Sequence, residues 1–421
     1  MQSDKEKEIN RKIGAYWIAI IILILLIAVI NLIAWNSRTI SDWYRDNVFV
    51  LWGPLYGMVT GRTDHSVGEF MLGIAVLLIW QALVSIIMLL ISRTRRAGVK
   101  YLKAFVLILC IVGLIQTLNC FVLYHASTFE DKYVSDYLKD KGDRKYTIDE
   151  LAGLRDLVVS RANELALKMP RDGSGNLTYD GDMAETAVES MKNLGDRYSG
   201  LSGYYGRPKA LLTSEFFSQQ NMMGYYFPFS MEANYNDVMY ISNIPATMCH
   251  ELSHTKGFIS EDEANLIGFL ACIESDDDFF KYSGYLSVLG YLDNDLKESI
   301  MVDEAKAFGL EVSSKDEITQ ESLEAAGVDV AAYTKAIHEI YDSHVAVSDE
   351  VRHDRVFLTK EAWDEVEENA VIDTETVRAA SDAFVNANLK ANGVSQGDAI
   401  YSEVVALLMD FYVYNIVEEL Q

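Results

Sequence analysis

The 421-residue chain has only four cysteines and five prolines. So few cysteines exclude a disulfide-built scaffold. So few prolines, beside 26 glycines, exclude collagen-like and Pro-rich classes. Basic residues are scarce too: 36 Lys and Arg stand against 62 Asp and Glu, a formal net charge of −26. A nucleic-acid partner is excluded, because binding one needs a basic face for the phosphates. Apolar residues are abundant. Hydrophobic residues make up 50% of the chain and aromatics 11%, too many for a disordered protein. No repeat of fixed period is visible.

Three runs within the first 125 residues carry no charge: Gly14–Trp35, Phe70–Ser92 and Ala104–Tyr124. Each reaches the ~20 residues that cross a hydrocarbon core as a helix. The first run is longer than a signal-peptide core, and no small-x-small cleavage pattern follows at Trp35-Asn36-Ser37-Arg38, so a retained anchor is expected. Lys5, Lys7, Arg11 and Lys12 precede the first run, and Arg93, Arg95, Arg96, Lys100 and Lys103 separate the second from the third. The positive-inside rule places both clusters in the cytoplasm. The expectation is a multi-pass cell-membrane protein: residues 1–125 anchor it in the lipid bilayer and 126–421 form an extracytoplasmic domain. That domain carries 24 basic against 55 acidic residues. An anionic lipid surface repels such a charge, so the domain is expected to stand off the membrane.

Beyond residue 126 the pattern is mostly helical. Thr147–Met169 has helical apolar spacing and a capping box opening at Thr147, and Met183–Tyr198 reads as a second amphipathic helix. Between Lys209 and Tyr240 aromatic, partly alternating residues favour strands. No Pro/Gly/Ser linker divides the region, so one domain is expected.

The sharpest motif is Cys249-His250-Glu251-Leu252-Ser253-His254, an H-E-x-x-H. On a helix the two histidines share a face and can aim at one metal ion, while Glu251 can take a proton from a water held there. Ser242 or Asn243 can cap that helix, Pro245 sits in its first turn, and Gly257 permits the stop. A third ligand is needed. Glu261 with Asn265 fits an E-x-x-x-D/N spacing in which the amide orients a ligand histidine. Glu263 competes, although Ser260 with Glu263 also spells a capping box.

Several further residues invite two readings. Tyr282 or Tyr285 can donate to a developing oxyanion, though core packing is the commoner fate of a tyrosine. Glu232, Asn234 and Asn236 alternate along Phe227–Asn236 and would share the face of an edge strand that pairs with an extended substrate, or simply give the strand its polar side. Asp172–Met183 is rejected as a calcium loop, because Leu177 replaces the turn glycine and Met183 the terminal glutamate. Asp276–Asp278 reads as a solvated loop, and Cys110 and Cys120 as packing. Cys249 and Cys272 bracket the motif and could pair as a disulfide outside the cell. His338, His344 and His353 lack ligand spacing.

With these segments in view, the chain resembles a bacterial membrane-protein family called domain of unknown function 3810. The resemblance rests on YFPFSMEANYN, HELSHTKGF, EDEANLIGFLAC, YSGY and the segment Asn388–Leu408. It implies a zinc-metallopeptidase-like fold and names no substrate. The acidic stretch Asp295–Asp349 departs from that pattern. The expected architecture is three transmembrane helices plus an α+β, mostly helical zincin-like (gluzincin-type) ectodomain with a small sheet. The expected function is peptide-bond hydrolysis with Zn2+ on His250, His254 and Glu261, Glu251 as general base and then acid, and a protein or peptide as substrate. The competing reading is a catalytically idle, membrane-tethered binding or assembly protein. An intramembrane protease is disfavoured, since the motif lies far beyond the last apolar run.

Overall fold

The computed structural model describes residues 2–134, 146–391 and 403–412. Part of the family-like segment at the C-terminus, 392–402, lies outside them.

Helix α1 (Gln2–Asn36) contains the first apolar run. The short helix α2 (Val50–Thr60) lies in the loop that follows. Helix α3 (Val67–Leu90) opens at Ser66, whose hydroxyl accepts the Glu69 N–H at 3.2 Å. Helix α4 (Arg95–Gln116) runs on through a π turn to Tyr124. Ala15–Asn36, Val67–Leu90 and Arg95–Tyr124 are long and apolar enough to cross a membrane. The hairpin between α3 and α4 is tight: a Cβ on Gly98 would sit 2.8 Å from the Ser85 carbonyl. Asn31 of α1 donates to Thr117 at 3.1 Å, one of the polar contacts that hold helices together where lipid offers no hydrophobic drive.

Most of the remaining described residues pack around one core, with a smaller cluster of Ala305, Leu310, Leu323 and Tyr333 beside it. Helix α5 (Ile148–Ala166) starts at the expected Thr147 capping box, and α6 (Met183–Arg197) is capped by Asp182. Strands β1 (Lys209–Ala210), β2 (Gly224–Phe227) and β3 (Glu232–Tyr235) form a sheet in the order β1-β3-β2. β3 runs parallel to β1 and antiparallel to β2. The expected run of strands is therefore interrupted. Ser214–Gln219 is a helix, and Phe227–Asn236 is broken by a turn at 228–231 that holds Met231 at φ 58°. Helices α7 (Ile244–His254), α8 (Glu261–Ile273) and α9 (Asp278–Ala307) complete the core with Leu252, Leu266, Leu270, Phe280 and Leu289. Asp277 is the N-cap of α9, accepting the Phe279 and Phe280 N–H groups, rather than part of a solvated loop. The acidic stretch Asp295–Asp349 folds back on α5, next to an ion pair at 3.0 Å between buried Arg155 and Asp293.

The domain beyond residue 126 does not stand off the three apolar helices. Phe49, Cys120 and Leu123 of the anchor form one cluster with Tyr226, Met231 and Ile259. Glu69, in the first turn of α3, accepts the N–H groups of Leu212 and Thr213 at 3.0 and 2.9 Å. Buried Lys209 reaches Glu232 at 2.5 Å and the carbonyls of Thr60 and His65, while Glu232 also accepts the Gly68 N–H at 3.0 Å. Repulsion between the acidic domain and a lipid surface acts across water and decays over about 8–10 Å. Contacts at van der Waals and hydrogen-bond distance override it.

Candidate metal centre

Pro245 occupies the first turn of α7, where its missing N–H is no loss. The cap is not the expected side-chain bond. Asn243 instead donates to the Val356 carbonyl at 2.8 Å and braces the helix start from outside. Gly257 ends the segment at φ 87°, with Arg45 and Leu123 so close that a Cβ would meet them at 3.1 and 3.2 Å.

His250 and His254 lie one turn apart. The Nδ1 of His250 is 3.0 Å from Asn265 Oδ1, and that of His254 is 2.7 Å from the Phe258 carbonyl. Both oxygens accept, so both Nδ1 atoms carry protons and both Nε2 atoms turn toward a common point, 3.2 Å apart. Glu261, the first residue of α8, completes the group at 3.1 Å from His250 Nε2 and 4.0 Å from His254 Nε2. Ligand atoms of all three lie within 4.8 Å of one another. Two imidazole nitrogens this close repel unless a positive centre sits between them. Burial disfavours charge on His250, yet the Glu261 carboxylate outweighs it and raises His250 to about 9, so a proton can fill that place. Burial lowers His254 to about 4 and keeps it neutral, the form that binds metal. A tetrahedral zinc with Zn–N of about 2.0–2.1 Å holds two donors about 3.3 Å apart, so these residues fit a zinc ion.

Glu251 supplies a second sign. Its carboxylate accepts the Tyr226 N–H of β2, and its Oε2 is buried with no hydrogen-bond partner among the described residues. Burial, reinforced by the Glu261 charge and opposed by His250, raises it to about 8. A buried carboxylate oxygen without a partner calls for one, and a functional site is a place where a bound group supplies it. The strand approaches so closely that only glycine fits at 224: a Cβ there would meet Glu251 Oε1 at 2.5 Å.

Other expected site residues lie elsewhere. Glu263 forms no capping box, for Ser260 makes no side-chain cap bond; it is buried and accepts the Phe129 N–H. Tyr282 is fully buried and donates to Asp354 at 2.7 Å, within an ion pair to Arg171. Tyr285 packs edge-on against Phe269. Neither hydroxyl bonds to the histidine cluster. Glu232, Asn234 and Asn236 do not line a free edge. Glu232 and Asn234 lie on β3, the central strand, paired on both sides, and Asn236 follows it directly. Glu232 is locked to Lys209, Asn234 donates to the Tyr225 carbonyl at 3.1 Å, and Asn236 donates to Ser218 at 2.8 Å. Cys249 and Cys272 are free, buried thiols that hydrogen-bond to each other.

Sequence reasoning passed over three residues near the site. Tyr225 on β2 is raised to about 12 by burial and by the charges of Cys120, Glu251 and Glu261. Tyr291 on α9 meets Asn265 at 3.5 Å, behind His250. Gly224 is the third, and its only signal was a glycine at the head of an aromatic run.

The chain belongs to the family of proteins of unknown function designated DUF3810, whose profile matches residues 44–344 and so includes the whole centre. No curated protein and no solved structure matches the chain.

Proposed function

We propose that this protein is a membrane-anchored, zinc-dependent metallopeptidase of the zincin type. The observation that carries the reading is the meeting of two Nδ1-anchored histidines and Glu261 beside the unpartnered Glu251 oxygen. His250, His254 and Glu261 would hold the ion. A bound zinc would supply Lewis-acid activation of a water and of the scissile carbonyl. Glu251, with its unpartnered carboxylate oxygen, takes the proton released by the attacking water and passes it to the leaving amine nitrogen. Tyr225 is the favoured donor to the carbonyl oxygen as negative charge gathers there, in place of Tyr282. The substrate strand is assigned to the outer edge of β2, with which no strand pairs among the described residues. A merely structural centre gives no reason for Glu251 Oε2. Leaving a buried acceptor unpaired costs about 1–3 kcal/mol, which disfavours the idle-scaffold reading.

Metal analysis of the purified full-length protein tests this. One zinc per chain is expected, lost in His250→Ala and held about 10–100-fold more weakly in Asn265→Ala, which frees the ligand ring. Protein without bound metal under non-chelating conditions would sink the reading.

The ectodomain is assigned to the outer face of the cytoplasmic membrane by the basic cluster Arg93–Lys103. Thiol labelling of intact cells should reach a cysteine placed at the exposed Asp349 and miss one at Arg95. The opposite pattern reverses the sidedness.

A further inference from the structure

We infer that the centre acts on membrane-anchored polypeptides, cutting them within a few residues of where they leave the bilayer. The inference rests on the peptidase reading above and adds the substrate class.

The edge strand is seated on the ends of the spans. Phe227 lies against the first turn of α3, where a Cβ on Gly68 would be 2.7 Å from its ring. The turn after β2 is held from the other side, for Asn119 donates to the Pro228 carbonyl at 2.6 Å. Leu123, the residue before the last of the third span, touches Gly257, which ends the segment carrying the histidines. The depth of these contacts follows from helix geometry. Lys103 is the last charge before the third apolar run, and the 21 residues from there to Tyr124 rise about 32 Å at 1.5 Å each. The hydrocarbon core is about 30 Å thick, so Asn119–Tyr124 reach its far boundary, and the sheet meets them there.

Helix α2 marks the same plane. Its 11 residues rise about 16 Å, too short to cross. Gly53, Gly57 and Thr60 are buried against the ectodomain, with Thr60 donating to the Ser230 carbonyl at 3.0 Å. Leu51, Leu55 and Val59 face the other way, 67%, 65% and 60% exposed at i, i+4, i+8 spacing. Trp43, just upstream, is 60% exposed. A short helix with one apolar face free, tied by chain to a span on each side, lies in the lipid interface. The occupant of that face is therefore the bilayer, and β2 rests directly above it.

A polypeptide with its own membrane span is confined to the same plane as β2. Its effective concentration there far exceeds that of a soluble peptide at equal amount. Each extended residue advances only about 3.3 Å, and β2 rests on the span ends, so the cut falls within about five residues of the substrate's span.

The test uses zinc-loaded full-length protein in phosphatidylcholine liposomes. One substrate set carries a randomised 20-residue linker (roughly four times the predicted reach) between a single span and a reporter; the other offers the same linkers as soluble peptides. Cut positions are read by mass spectrometry. Cuts should cluster within about five residues of the span, with soluble linkers hydrolysed at least tenfold more slowly. The double substitution Leu51→Glu with Leu55→Glu should slow cleavage of the tethered set at least tenfold and leave the soluble rate unchanged. Cuts spread evenly along the linker, or equal rates on the two sets, overturn the inference and leave the peptidase standing. Protein that cuts neither set removes the peptidase reading, and this inference with it.

Discussion

On the proposed reading, Glu251→Gln should keep a bound metal and lose turnover by at least the ~10²–10⁴ that general-base catalysis provides. The substitution preserves shape and the bond from Tyr226, and it leaves His250, His254 and Glu261 untouched. What it removes is the capacity to accept and return a proton. His254→Ala should lose metal and activity together, because its ring would supply one of the donors and its Nδ1 ties the helix end to Phe258. Measuring zinc content and turnover on the same preparations separates the two outcomes. Full activity in Glu251→Gln on a cleavable substrate would falsify the role assigned to this carboxylate.

Lys209→Met should destabilise the junction between the C-terminal domain and the apolar helices by about 3–5 kcal/mol. Both Lys209 and Glu232 side chains are 4% exposed, and the ammonium also serves the carbonyls of Thr60 and His65. Its loss leaves a carboxylate buried without a counter-charge, a far larger penalty than the pair's net worth. Pairing Lys209→Met with Glu232→Leu should recover much of the loss, since an apolar pair of similar volume needs no desolvation. Thermal unfolding in detergent reads both variants. An unchanged midpoint for Lys209→Met would show that the junction does not depend on this pair.

Much of the architecture is legible in local sequence. The spans announce themselves through absent charge, because each needs only its own residues to be apolar. The Thr147 cap and the helix through His254 are equally local, decided within a turn or two. The approach of Glu261 and Asn265 to His250 was readable as well, since their spacing along α8 brings both toward it. What was hidden depends on contacts between distant segments. The alternation of Glu232 and Asn234 reveals a strand but not its place in the sheet. A two-residue parallel partner, Lys209–Ala210, makes it central and hands the free edge to β2. Glu263 had the spacing of a cap, and a backbone N–H more than a hundred residues earlier claimed it. Helical periodicity marks Tyr282 as inward-facing without saying which partner waits there; Asp354 does. The approach of the acidic C-terminal domain to the spans was obscured by its net charge, a quantity that ignores where each carboxylate finds its donor.

The four thiols are all buried, and two of them, Cys249 and Cys272, lie back to back between α7 and α8. Neither can meet a reagent while those helices stay together. In soluble alkylating agent the native protein therefore carries a built-in stopwatch. Modification of Cys249 or Cys272 registers each occasion on which the histidine-bearing helix parts from its neighbour. With a slow reagent the rate reports how often the open form is populated, and with a fast one it reports the opening step itself. Zinc bound across α7 and α8 should slow that clock in proportion to its occupancy.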